Sequence, residues 1–158
     1  MDLSTKAKPS QLLEMAAVPE VRDYMTMRVV SVDVSDSVYN AADIMIKNSV
    51  GCVVVTEYGE IAGIVTKGDI IRNSLLKLLD PKSTTVQAVM TKSPVVIDAS
   101  ASLEEAAKLM TERNVSKLPV LDEGIVVGVI SASDIMRVEP TYVTYLRGLI
   151  ERNISHAY

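Results

Sequence analysis

Two short stretches carry the side chains best placed for chemistry. One reads Gly63-Ile-Val-Thr66-Lys67-Gly68-Asp69, the other Gly128-Val-Ile-Ser131-Ala132-Ser133-Asp134. Each runs glycine, two aliphatics, a hydroxyl residue, two spacers and an aspartate. Each joins a strand-like run to a helix-like one. A Thr or Ser at that junction sets a hydroxyl beside backbone N–H groups at a helix start, where unpaired donors and partial positive charge suit a phosphate. The aspartate one turn on can accept two hydrogen bonds, as a vicinal diol would offer. The same spacing is also an ordinary capping box, Thr66 with Asp69 and Ser131 with Asp134, which needs no ligand. Other reactive constellations are missing from the sequence. One cysteine, Cys52, and one histidine, His156, make neither a zinc site nor a nucleophile–base pair. There is no Walker-type glycine loop.

The two stretches belong to a longer repeat. Sliding the chain on itself by 65 residues (128 − 63) aligns residues 21–72 with 86–137 without a gap. Identical pairs include Met25/Met90, Thr26/Thr91, Asp33/Asp98, Ala41/Ala106, Ala42/Ala107, Met45/Met110, Val50/Val115, Val55/Val120, Gly59/Gly124, Gly63/Gly128, Asp69/Asp134, Ile70/Ile135 and Arg72/Arg137. Chance alone gives roughly one match in fifteen, and these thirteen pairs in 52 positions exceed it several-fold. Two copies are too few for a solenoid, so a pair packed face to face is expected.

Each copy must then supply the elements that hold its motif. Residues 29–34 and 95–97 alternate or run in β-branched residues and read as strands. Val38, Ala41, Ala42 and Met45 recur at helical spacing, as do Leu103, Ala106, Ala107 and Met110. Ser102 with Glu105 is a capping box for the second helix; Ser37 caps the first, with Asn40 in the Glu position. Residues 52–56 and 118–121 read as strands, followed by tight turns at Tyr58-Gly59 and Glu123-Gly124. Return strands 61–65 and 125–130 lead into the motifs. A long helix through Ile70, Ile71, Ser74, Leu75 and Leu78 follows the first motif, and a shorter one from Ile135 follows the second. The unit is β-α-β-β-α, and the fold class α/β (α+β). The reading divides the chain into an N-terminal helical segment at 1–19, a first repeat at 20–80, a second at 81–138 and a C-terminal helix at 139–158 with an apolar stripe at Tyr142, Leu146, Leu149 and Ile150.

Composition limits the function classes. The chain has 158 residues, 48% hydrophobic and 23% charged, with a formal net charge of −4. That suits a globular protein and argues against broad nucleic-acid binding. With no Trp and no Phe, stacking on many bases is not available. Apolar runs are far too short to span a bilayer. Lys6 and Lys8 precede no apolar stretch, so no signal peptide is expected. A single cysteine fits a reducing, cytoplasmic setting.

The tandem β-α-β-β-α unit, the Met-Thr openings (Met25-Thr26, Met90-Thr91), the Ala-Ala-x-x-Met helices and the motif endings together resemble a pair of cystathionine-β-synthase (CBS) domains, the Bateman module, over about residues 20–138. The resemblance implies two repeats packed through their sheets with pseudo-twofold symmetry and two clefts between them. It implies an adenosine derivative in those clefts, AMP, ADP or ATP first and S-adenosylmethionine second, with Asp on the ribose hydroxyls and Thr/Ser on the phosphate side. One cleft would use Thr66, Lys67, Gly68 and Asp69 with Thr91, Pro94, Val95, Ser116, Lys117, Leu118 and Pro119. The other would use Ser131, Ala132, Ser133 and Asp134 with Thr26, Val30, Val50, Gly51 and Cys52. Gly51-Cys52 replaces Ser116-Lys117, so both lysines are expected in the Asp69 cleft. The functional expectation is a standalone, non-enzymatic regulatory module that senses a nucleotide and acts through an effector protein. The alternative is an interaction or architectural protein with empty clefts or another ligand, S-adenosylmethionine or nucleic acid. A homodimer is expected, because one domain pair leaves some of the helix stripes at Val38/Ala41/Met45, Leu103/Ala107/Met110 and Tyr142/Leu146/Leu149 facing outward.

Overall fold

The computed structural model describes residues 18–138, 146–148 and 151. The first repeat runs β1 (Ser31–Asp33), α1 (Val38–Lys47), β2 (Cys52–Glu57), β3 (Glu60–Thr66) and α2 (Lys67–Ile70). A short helix, α3 (Val86–Val89), opens the second half. The second repeat runs β4 (Thr91–Lys92), β5 (Ile97–Asp98), α4 (Leu103–Arg113), β6 (Lys117–Asp122), β7 (Ile125–Ser131) and α5 (Ala132–Val138). One sheet has the order β1-β2-β3-β4, the other β5-β6-β7. The mixed α+β fold and the tandem unit are as expected.

Local chemistry sets the element ends. Ser37 Oγ accepts from the Asn40 amide at 3.0 Å, while the Asn40 side chain turns to Asp36 instead of closing a box. Ser102 and Glu105 close theirs, at 2.8 and 3.1 Å. Each β-hairpin turns on two residues with positive φ, Tyr58 (51°) with Gly59 (84°) and Glu123 (49°) with Gly124 (79°). That is the type I′ geometry, whose twist matches the flanking strands. The first strand is shorter than the alternation of residues 29–34 predicts. It pairs in parallel with β2 only from Ser31 to Asp33. There the Asp33 carboxylate takes the Ser35 amide and hydroxyl at 3.0 and 2.7 Å and turns the chain. Asp98 and Ser100 repeat the device at 2.8 and 2.6 Å.

The two repeats exchange their opening segments. β4 leaves the second repeat and pairs antiparallel with β3 of the first, Ile64 opposite Thr91. Reciprocally, Thr26 pairs with Val129 of β7, through bonds of 2.9 and 3.1 Å. A 3-10 turn at Val21–Asp23 docks on the second repeat, Val21 N–H donating to the Ala101 carbonyl at 2.8 Å. Val21 is accordingly fully buried in the core of the second repeat, with Leu103, Met110, Leu118 and Ile130, while Val86 and Val89 complete the core of the first. Neither core closes without a piece of the other copy.

Two expectations change. The helix after the first motif is not long. After α2 the backbone widens into a π turn, Ile71–Leu75, with Leu76 N–H reaching the Ile71 carbonyl at 2.9 Å. Leu78 then takes a positive φ of 57°. The stripes of α1 and α4 do not face outward: Val38, Ala41, Met45, Leu103, Ala107 and Met110 are buried, as is Leu146. The exposed apolar surface lies elsewhere, at Ile46 of α1 and at Ile71, Leu75, Leu76, Leu78 and Leu79. The expected helix at 1–19 and most of that at 139–158, with Tyr142, Leu149 and Ile150, lie outside the described residues. Among the described residues no helix is long and apolar enough to cross a membrane.

Candidate functional site

Each motif sits where a return strand passes into a helix, at the edge of a cleft between the repeats. The capping box is present in both. Thr66 donates its amide and hydroxyl to Asp69 Oδ2 at 2.8 and 2.9 Å, and the Asp69 amide donates to Thr66 Oγ1 at 3.1 Å. Ser131 donates its amide and hydroxyl to Asp134 Oδ2 at 2.9 and 2.6 Å, and the Asp134 amide returns to Ser131 Oγ at 3.2 Å. In each copy this box uses Oδ2 and leaves Oδ1 to a basic neighbour. Arg72 stands 3.3 Å from Asp69 Oδ1, Arg137 4.0 Å from Asp134 Oδ1. Gly68 gives the arginine its room in the first copy, since a Cβ there would stand 3.1 Å from Arg72 Nη1. The second copy has Ser133 at that position, hydrogen-bonded to Ser131 Oγ at 2.9 Å, and the longer ion pair.

The helix amides are less free than the motif suggests. Lys67 N–H donates to the Gly51 carbonyl at 3.2 Å, and Ala132 N–H to the Ser116 carbonyl at 2.9 Å. These bonds tie each motif to its own repeat's β2 or β6 entry.

The first cleft encloses about 530 Å³. It gathers Thr66, Lys67, Gly68, Asp69, Thr91, Pro94, Val95, Ser116 and Lys117 together with Gly51, Ile64, Arg72, Ser93, Asn114 and Val115. The second, about 260 Å³, gathers Thr26, Val30, Val50, Gly51, Cys52, Ser131, Ser133 and Asp134, and adds Arg28, Ser49, Lys117 and Val129. Three expected residues are on neither wall. Leu118 and Pro119 are buried on β6, the middle strand of its sheet, where successive side chains point to opposite covered faces. Ala132 is buried in the second core. Lys117 does not belong to the Asp69 cleft alone: it lines both, and Arg28 gives the second a cation of its own.

The sequence carries a signal for some of the additions. Ser49 and Asn114 are repeat partners, and both close their helices at φ 54°; polar helix-ending residues at matched positions mark the cleft rim. Arg28 is the partner of Ser93, so a departure between copies marks it. Arg72 and Arg137 are an identical pair of the repeat, each three residues past the motif aspartate. Cys52 borders the second cleft but is mostly covered. Burial pushes its thiol up, and the charge of Lys117 pulls against that. Among the described residues no group of three or more His, Cys, Asp or Glu could hold a metal ion.

A family model described as CBS domain matches residues 21–76 and again 86–140. The uncharacterized protein MJ0450 of Methanocaldococcus jannaschii is 31% identical over 125 residues, 77% of this chain and 66% of that protein. The chain thus spans just under two thirds of that relative. The crystal structure of the CBS domain protein NE2398 superposes with a TM-score of 0.70 at 32% identity, covering 77% of this chain and 98% of that one. The CBS domain pair of MJ0100, crystallised with 5′-methylthioadenosine and S-adenosyl-L-methionine, shares the fold at TM-score 0.71 and 24% identity, over 79% of this chain and 98% of that one. With two matched repeats, exchanged openings and paired clefts, the chain belongs to the CBS domain family and carries a CBS domain pair.

Proposed function

We propose that the chain is a regulatory binding module that takes an adenosine derivative, AMP, ADP or ATP before S-adenosylmethionine, in the clefts between its repeats. The observation that carries this is the composition of the first cleft. It combines a half-engaged carboxylate (Asp69 Oδ1), a hydroxyl (Thr66), an aliphatic wall (Ile64, Val95, Val115) and three cations (Lys67, Arg72, Lys117). A diol, a flat apolar base and a phosphate each find a fitting partner there. Its volume of about 530 Å³ lies within the roughly 300–1,000 Å³ of small-molecule sites. The ligands of MJ0100, both adenosine derivatives, support the class.

The clefts offer groups for binding rather than for bond-breaking, so the reading is a sensor, not an enzyme. The signal would pass to an effector protein, in the cytoplasm, where Cys52 stays reduced. A homodimer belongs to the same reading, now through the exposed apolar strip at Ile71, Leu75, Leu76, Leu78 and Leu79. That strip also favours the second reading, an interaction protein whose clefts stay empty. A thermal-shift screen with AMP, ADP, ATP, S-adenosylmethionine and adenosine separates the two. A ligand at 100 times its Kd adds about 2.7 kcal/mol; no shift with any of the five overturns the sensor.

A further inference from the structure

The two clefts meet at a shared wall. Gly51 and Lys117 line both of them. Gly51 makes this possible, because a Cβ there would stand 3.3 Å from Lys117 Cε and 3.5 Å from Nζ. The bare backbone lets the lysine stem lie across the partition and leaves its ammonium between the two spaces. None of the ion pairs among the described residues uses Lys117. On the second cleft's side the Cys52 thiol is pushed up by burial, with the Lys117 charge lowering it and that of Asp69 raising it. The repeat partners of these residues, Ser116 and Cys52 (51 + 65 and 117 − 65), bring no cation to match. The shared charge is therefore single.

We propose that Lys117 couples the clefts antagonistically: a phosphorylated ligand that takes its ammonium in one cleft weakens phosphate binding in the other. The proposal rests on the nucleotide reading above. An ammonium is a compact point charge with three donors on a flexible stem, and a stem that swings it onto the phosphate of one cleft carries it away from the other. A second phosphate meets a cation already neutralised and the first phosphate's charge beyond it. Losing one charge-assisted hydrogen bond weakens binding by about tenfold. A ligand without phosphate gives Lys117 nothing to choose between and fills both clefts independently.

The test is calorimetric titration of the full chain at low salt with AMP and with adenosine. Asp69→Ala, which keeps the second cleft, gives that cleft's affinity when the first is empty. In the unmutated chain, AMP is expected to enter the second cleft about tenfold more weakly than in Asp69→Ala, while adenosine enters equally in both proteins. Lys117→Met should remove the difference for AMP. Equal AMP affinity for the second cleft in both proteins overturns the coupling and leaves the nucleotide reading intact, as does an adenosine coupling as large as that of AMP. No saturable AMP binding at all overturns the nucleotide reading, and the coupling with it. The comparison between AMP and adenosine needs no lysine variant, so misfolding of Lys117→Met does not spare the proposal.

Discussion

Met90 lies across Gly63 so closely that a Cβ on the glycine would stand 2.6 Å from its sulfur and 2.8 Å from the Thr91 carbonyl oxygen. Met25 and Thr26 cover Gly128 at the same distances, 2.6 and 2.8 Å. The opening of each repeat therefore rests on the motif glycine of the other. A methionine side chain can move aside, but the carbonyl is held by strand pairing. Gly63→Ala and Gly128→Ala should each destabilise by about 1–3 kcal/mol, as overpacking does. Thermal denaturation checks this. Unchanged melting in both variants would show that the exchanged strands yield easily.

That contact also explains what was legible in the sequence. The glycines, the Met-Thr openings and the 65-residue register were all visible. So were the hairpins and the amphipathic helices α1 and α4, because apolar periodicity and turn chemistry are local. That each Met-Thr lies on the other copy's glycine was not visible, because pairing across a pseudo-twofold axis leaves no local pattern. The same holds for Lys117: its place on the partition depends on Gly51, 66 residues away (117 − 51). The apolar stripes of α1 and α4 are stripes, as their spacing predicts, but they face inward and not outward. Periodicity shows that a face is apolar, and only the packing shows what covers it.

Asp69 serves two roles that a variant can separate. Asp69→Ala removes the N3 half of the capping box, at a cost of about 0.5–2 kcal/mol, and removes the Oδ1 acceptor from the first cleft. AMP binding in that cleft should disappear while the fold persists. Thr66→Val breaks the same capping box and leaves the carboxylate in place, so binding should fall less. If Asp69→Ala melts earlier but binds AMP at two sites as before, the aspartate is a cap and nothing more.

Three surface aspartates should contribute to the acid limb of stability. The Ser35 hydroxyl and amide hold the Asp33 carboxyl below its ordinary value of 3.8. The Ser100 hydroxyl and amide do the same for Asp98, and the Lys82 amide and Ser83 hydroxyl for Asp80. A carboxyl lowered in the folded state adds stability that is fully present above the unfolded value and is lost as pH falls through the folded one. Melting temperature should therefore hold down to about the ordinary carboxylate value and drop below it. Asp33→Asn and Asp98→Asn should each flatten that drop. An acid limb of the same slope in both variants would assign it to other groups.

The strip at Ile71, Leu75, Leu76, Leu78 and Leu79 begins within the π turn and carries Leu78 at 92% exposure. Side chains this open contribute little to their own core, so Leu76→Glu and Leu78→Glu should change stability by under about 0.5 kcal/mol. If the strip closes a dimer, the double variant should sediment as a monomer at tens of micromolar, where the unmutated chain is a dimer. A monomer in both cases refutes the dimer, and a dimer in both cases places its interface elsewhere.

The clefts should differ in their liking for phosphate, by less than the sequence alone suggests. Reading both lysines into the first cleft gives two cations against none. The walls give Lys67, Arg72 and Lys117 against Arg28 and Lys117, with Arg72 partly engaged by Asp69 at 3.3 Å. The excess is about one cation, which at about 1.4 kcal/mol is a factor of about ten. The Asp134→Ala protein, which keeps the first cleft, should bind AMP about tenfold tighter than the Asp69→Ala protein. Added salt should narrow that gap, since exposed charges are screened over about 10 Å at 0.1 M. Adenosine should show little of it. Arg28→Ala should weaken AMP in the Asp69→Ala background and leave it unchanged in the Asp134→Ala background. If the Asp69→Ala protein binds AMP the more tightly, cation count does not rank the clefts, and the larger first cleft holds its ligand by something other than charge.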